Sequence, residues 1–259
     1  MKVFITGSSS FFTKLFVKYV KNVEIVYISS KTNRNSSNMI FDLNFLDEFE
    51  EDSFIVHSAW NMSERTESKS RIINLEGSLS FFNSLNSQQK KRFIFVSTNV
   101  ASEDAVSVYG QHKYEVEQEI LKKGGLVMKC ALLIDEERPF EEGFFSDLYK
   151  LASKAPVVPN FSSKNKIYQL TRGSLVNDRF NELIELNYNM SRTLDCFDNN
   201  LYSFNELVKN VMGLEKPIVN IPWTIGYYTS RMFEIFHFKF PIKSDSLLGI
   251  KESKVKRDI

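Results

Sequence analysis

Short apolar runs alternate with helix-sized segments through the first half of the chain, and few folds accommodate that pattern. Val3-Phe4-Ile5, Glu24–Ile28, Met39–Phe41, Phe54–Val56, Phe93–Val96 and Leu126–Met128 are rich in β-branched and aromatic residues. Each reads as a buried strand. Between them, Phe12, Leu15, Phe16 and Val20 recur at helical spacing with Lys14 and Lys18 on the other face. A second helical stretch covers roughly Ser70 to Leu85, and a charged one runs from Tyr109 to Lys122. Strands without polar alternation are buried on both faces, so the pattern predicts a parallel sheet covered by helices. Right-handed crossovers leave a doubly wound α/β sheet of the Rossmann type as the best match.

Past residue 130 the alternation weakens. Helices are expected over 143–152, 173–187 and 204–213, and Pro156–Pro159 should be extended because proline disfavours helix. The aromatic-rich stretch 221–240 is expected to be core, the usual fate of such a stripe. The division is therefore a dinucleotide-binding region over 1–130 and a small mixed lobe over 131–259, partly interleaved with the first. A chain of 259 residues suits one or two domains.

Charge and composition narrow the function. A net charge of +1 gives no field to gather nucleic acid. Cys130 and Cys196 make no disulfide framework, and His57, His112 and His237 show no ligand-like clustering, so no metal site is expected. No apolar run approaches the ~18–20 residues of a spanning helix. Lys14 and Lys18 interrupt the N-terminal apolar stretch, and no small-residue cleavage pattern follows. A cytoplasmic protein with no membrane or nucleic-acid partner is the expectation.

The first strand ends in Thr6-Gly7-Ser8-Ser9-Ser10-Phe11-Phe12-Thr13. This resembles the Thr-Gly-x-x-Gly-x-x-Gly turn of the extended short-chain dehydrogenase/reductases. Only the first glycine is kept, and Ser10 and Thr13 stand at the other two positions. A serine hydroxyl there could donate to a phosphate oxygen, and Thr13 should loosen the packing of helix on strand. Taken alone, the turn serves an ordinary polar connection equally well.

Other segments fit the same family in the same order. Asp42-Leu43 resembles a pair that contacts adenine, and His57-Ser58-Ala59 a segment beside the pyrophosphate. Asn74-x-x-Gly77-Ser78 resembles the Asn-x-x-Gly-Thr pattern of the next helix. The second strand ends in Ser29-Ser30-Lys31 with Arg34 beyond, and no carboxylate for ribose hydroxyls. Such a loop would welcome a 2′-phosphate, which favours NADPH, with NAD second. The same residues would equally suit a solvated loop. By this resemblance the cofactor residues are Gly7, Ser9, Ser10, Phe11, Phe12, Ser29, Ser30, Lys31, Arg34, Asp42, Leu43, His57, Ser58, Ala59, Asn74 and Lys113.

The sharpest motif is Tyr109-Gly110-Gln111-His112-Lys113. Residues i and i+4 share a helix face, so Tyr109 and Lys113 point the same way. A tyrosine near pKa ~10 is a poor acid at neutral pH, and a neighbouring ammonium lowers that value. The alternative is an ordinary helix pair. Val96-Ser97-Thr98 precedes it and resembles the family's Ser-Thr segment, which makes Thr98 the partner of a reacting oxygen and Ser97 the fallback. The resemblance thus implies Tyr109, Lys113 and Thr98 as catalytic residues.

Only ten residues separate Thr98 from Tyr109, fewer than the family usually has. The likeness thins after 130. Lys129-Cys130 replaces Arg-Pro, and Gly173-Ser174-Leu175 replaces Asp-Asp-Leu. Lys154–Pro159 and Tyr168–Thr171 resemble the family's segments before the substrate lobe.

Such enzymes act on nucleotide-linked sugars. Thr98 is followed by Asn99-Val100 and not by the Asp-Glu of dehydratases. The resemblance therefore implies 4-keto reduction in surface-polysaccharide or deoxysugar synthesis first, and 4-epimerisation second. A third reading, from the lost glycines, is a non-catalytic cofactor-sensing or partner-binding member of the fold. Pairing into a homodimer is also implied.

Overall fold

The computed structural model describes all residues except 33–38, 63–65, 162–165, 186–191, 236–243, 245–246, 248–250 and 252–259. Six parallel strands form the central sheet: β1 (Lys2–Thr6), β2 (Glu24–Ile28), β5 (Phe54–His57), β6 (Phe93–Thr98), β7 (Leu126–Cys130) and β12 (Arg192–Cys196). Their order is β12-β7-β6-β5-β1-β2. The chain therefore starts mid-sheet, steps to β2 on one side, then crosses to β5 on the other. That reversal opens a crevice beyond the carboxyl ends of β1 and β5, the place where doubly wound sheets bind ligands.

Alternate residues of β1 face opposite layers, as a period of two requires. Val3 and Ile5 join Phe12 and Phe16 of α1 (Phe11–Tyr19) and Phe180 of α7 (Gly173–Glu185) in one core layer. Phe4 joins the opposite layer with Phe93, Phe95, Phe82 of α3 (Gly77–Ser84) and Val116 of α5 (Val108–Lys122). Each such ring contributes roughly 2–3 kcal/mol by leaving water. A helical run of α2 (Glu67–Ser70) and a π-helical stretch (Arg71–Glu76) leads into α3.

One strand differs from the sequence expectation. Met39–Phe41 is not a central strand: as β4 it pairs antiparallel with β3 (Ser30–Thr32) in a separate ribbon. Phe41 turns instead onto Phe81, with ring centres 4.6 Å apart. The sixth place in the sheet is taken by β12, whose Leu194 and Cys196 are buried.

The second half folds around its own cluster of Phe145 and Leu148 from α6 (Gly143–Lys154), Val158, Tyr168, Leu207 and Val208. It also lends α7 and β12 to the first. The second half of the expected extended segment Pro156–Pro159 falls in the strand Val158–Asn160. A short helix, Phe204–Glu206, continues as a π-helical stretch, Leu207–Val211.

The aromatic stretch corrects a second expectation. Trp223–Ile235 is a helix, but Ile225, Tyr228, Met232 and Ile235 are each more than half exposed. Only Gly226 and Ser230 are buried on it, and Phe161 lies so close that a Cβ on Gly226 would come within 2.4 Å of its ring. The small residues, not the aromatics, form the inward face. Residues 236–240 of that stretch lie outside the described residues.

Candidate active site

The crevice is built at Gly7. Its φ is +75°, a conformation that L side chains rarely adopt. A Cβ there would lie 2.7 Å from the Ala59 nitrogen and 2.9 Å from the Ser58 hydroxyl. The ends of β1 and β5 therefore meet backbone to backbone. Ser10 then caps α1, its Oγ accepting from Thr13 N–H at 3.1 Å.

Ser10 and Thr13 do not behave as the sequence suggested. Their hydroxyls turn inward and meet Ser58 Oγ at 2.9 and 2.7 Å. Ser58 in turn donates to Thr6 O at 2.8 Å. Thr13 is 1% exposed and bonds the helix to the end of β5, where loosening had been expected. Ser10 Oγ is engaged with Thr13 and Ser58. The first-turn N–H groups of Phe11 and Phe12 have no acceptor within the helix and would be open to a phosphate. Ser8 and Ser9 are exposed at the turn's tip. A dinucleotide fits this turn through backbone alone.

His57 and Asn74 shape the crevice from behind. His57 is fully buried; Thr6 Oγ1 lies 2.8 Å from Nδ1 and Ser78 Oγ 2.9 Å from Nε2. Burial, helped by the Lys113 charge, pulls its pKa down to about 3. Asn74 is buried, accepts from Asn61 N–H at 2.6 Å and donates to Asn61 O at 3.1 Å. It clamps the loop after β5.

At the rim, Ser29 O accepts from Asp42 N–H at 3.0 Å. The residues that follow β2 and β4 are thereby joined, with Ser29, Ser30, Asp42 and Leu43 all on the surface. Asp42 also caps Asn44 N–H at 3.0 Å. Lys31 lies in the β3–β4 ribbon, and Arg34 lies outside the described residues.

Thr98 ends β6, half-buried, in register with Cys130. Ser107 caps α5, accepting from Gly110 N–H at 3.2 Å. The short loop between them folds against the helix at Gly110, where a Cβ would lie 2.9 Å from Val100 O and from the Ala105 methyl. That close approach explains the glycine after Tyr109.

Lys113 is 3% exposed and donates to Val96 O at 2.6 Å, two residues before Thr98. Its Nζ lies 4.1 Å from the Trp60 ring centre, 4.4 Å from that of Phe95 and 6.0 Å from that of Tyr109. Trp60 meets Tyr109 edge-on at 5.9 Å. Burial pulls the Lys113 amine down to about 7, against the pull of Glu117.

Two residues here escaped the sequence reading. Trp60 follows His57-Ser58-Ala59 directly and closes over Lys113. Glu117, one turn beyond Lys113, is 2% exposed; it accepts from the Ser97 hydroxyl and pairs with Lys129 Nζ at 3.0 Å. Its i+4 spacing from Lys113 was the available signal. The fallback residue Ser97 is thus tied to Glu117. Among the described residues, no three His, Cys, Asp or Glu groups gather as a metal site, and no helix is long and apolar enough to cross a membrane.

No family model matches the chain, and no curated protein matches it. Solved structures do. MoeE5 in complex with UDP-glucuronic acid and NAD superposes with a TM-score of 0.64 at 16% identity, over 97% of this chain and 98% of that one. The dTDP-4-dehydrorhamnose reductase of Bacillus anthracis, in complex with NADP, gives 0.61 at 13%, over 95% and 96%. RMD from Pseudomonas aeruginosa, complexed with NADPH, gives 0.58 at 16%, over 98% and 99%. The chain therefore shares, along nearly its whole length, the Rossmann-type fold of these proteins.

Proposed function

We propose that the chain is an NADPH-preferring oxidoreductase, with NAD as second cofactor, that reduces the 4-keto group of a nucleotide-linked sugar. The observation that carries the reading is the placement of Lys113 against Tyr109 and the β6 backbone leading to Thr98, beside the Gly7–Ala59 crevice. The names of solved proteins with this fold support it, since they include a reductase with NADP and a protein with UDP-glucose and NAD.

The cofactor would lie on Gly7, Ser9 and the N–H groups of Phe11 and Phe12. The Ser58–Ala59 backbone would flank its pyrophosphate, Asp42 and Leu43 its adenine, and Ser29, Ser30, Lys31 and Arg34 its 2′-phosphate. When bound, the nicotinamide supplies hydride to the carbonyl carbon. Thr98 hydrogen-bonds the carbonyl oxygen, and Tyr109 gives it a proton. The Lys113 charge favours the phenolate that remains. A Tyr109→Phe variant should bind cofactor as the parent does and lose at least ~10²-fold in turnover of a 4-keto sugar nucleotide. Unchanged turnover would remove Tyr109 from the chemistry.

A second reading has its own observation. The exposed apolar face of Trp223–Ile235 suits a partner-binding role on the same fold.

A further inference from the structure

Lys113 has a chemical difficulty. It stands beneath Trp60 and Phe95, and burial drives a lysine toward the neutral amine. A neutral amine cannot lower the pKa of Tyr109. The charge therefore needs a nearby anion.

The groups that face Lys113 can be named element by element. His57 comes from β5 and is held neutral by burial. Cys130 comes from β7, and its thiol lies beside that of Cys196. Tyr109 and Glu117 share α5 with Lys113. Glu117 is the carboxylate among them, and both of its oxygens are engaged across three elements. One accepts from Ser97 on β6 and the other pairs with Lys129 on β7. Lys129 also donates to Ala101 O at 2.8 Å, and Ala101 N–H closes the turn on Thr98 O at 3.1 Å. One buried carboxylate therefore braces α5 against the end of β6 that carries Thr98 and against the turn that follows it.

We propose that Glu117 is a positioning residue that keeps Lys113 charged and fixes Thr98 relative to Tyr109 through Ser97 and Lys129. Burial lifts its own carboxyl above the ordinary value, while Lys129 and Ser97 pull it back toward the charged form. The proposal rests on the reductase reading for its purpose, but not for its test.

The test is urea unfolding of the full chain across pH for the parent, E117Q and K113M, and for E117Q/K113M. The stability that depends on Lys113 rises with pH from the folded-state pKa of that lysine. In E117Q the rise should begin about one pH unit or more lower than in the parent, as loss of a close opposite charge requires. E117D should restore most of the difference. A rise beginning at the same pH in both would overturn the proposal and leave Glu117 a structural brace. If E117Q does not fold, K129M serves: it removes the cation that holds Glu117 in its charged form, so the rise should again begin at lower pH than in the parent, whereas no movement overturns the proposal. None of these readouts needs cofactor. The same variants, titrated with NADPH across pH, then report on the reductase reading separately. If the parent binds no NADPH, that reading fails while the Glu117–Lys113 coupling stands or falls on unfolding alone.

Discussion

Gly7 is where a single methyl group would do most damage. Its backbone lies in the left-handed region, and a Cβ would strike the backbone of Ala59. Gly7→Ala should therefore cost ~2–4 kcal/mol in urea unfolding, combining strain with the parting of β1 from β5. A loss below ~0.5 kcal/mol would mean the crevice is looser than its geometry. Lys113 gives a second residue-scale expectation. Its folded-state pKa, about 7, lies below that of the unfolded chain, near 10.5. Between these values the unfolded state binds the extra proton, so stability should climb as pH rises from about 7 toward 10.5 and stay level beyond. K113M should abolish that climb, whose upper bound is about 5 kcal/mol. At this scale the sequence made Tyr109 and Lys113 legible because four residues is one helical turn. Glu117 carried only its i+4 spacing from Lys113, and Trp60 no local signal, because Phe95, Ser97 and Lys129 reach them from β6 and β7 and no local spacing encodes such contacts.

Among elements, α7 shows how the second half secures the first. The Glu136 carboxylate accepts from Gly173 N–H at 2.9 Å and Ser174 N–H at 3.2 Å, and from the Ser174 hydroxyl, so it caps the helix from a distance. The glycine at the helix start admits Tyr19, whose ring would lie 2.2 Å from a Cβ there, and the Tyr19 hydroxyl donates to Asp135 at 2.8 Å. This accounts for Gly173-Ser174 where the resembling family has Asp-Asp. Burial opposes the charged form of Glu136, yet its bonds to Ser174 hold the carboxyl below its ordinary value. That stabilisation is present above the unfolded value near 4.5 and is lost as pH falls through the folded value. Glu136→Ala should cost about 1–2 kcal/mol at neutral pH, with the deficit closing in acid. An equal deficit at both would assign the effect to packing. Element existence was legible from periodicity, and α1, α5, α6 and α7 lie close to their expected spans. Partnership was not. Three apolar residues at Met39–Phe41 read the same whether they pair within the sheet or with Ser30–Thr32. In Trp223–Ile235 the aromatic count concealed that the buried face is Gly226 and Ser230.

At the scale of the whole molecule, the chain crosses its own halves. Arg192–Cys196 completes the sheet begun by Lys2–Thr6, and Phe180 packs edge-on against Phe16 at 4.9 Å. The doubly wound architecture was legible because five of its six strands centre on apolar runs, a pattern few other folds use. The return of the chain for a last strand was not, because Arg192–Cys196 carries polar residues on an edge and resembles a surface strand. On the proposed reading the altered turn, with its hydroxyls folded inward, still holds a dinucleotide through its backbone. Fluorescence titration of the protein with NADPH and with NADH tests it most directly. Saturable NADPH binding, tighter than that of NADH and kept in Tyr109→Phe, is the predicted result. Failure of both cofactors to bind at millimolar concentration would contradict the claim, and would turn attention to the exposed helix at Trp223–Ile235.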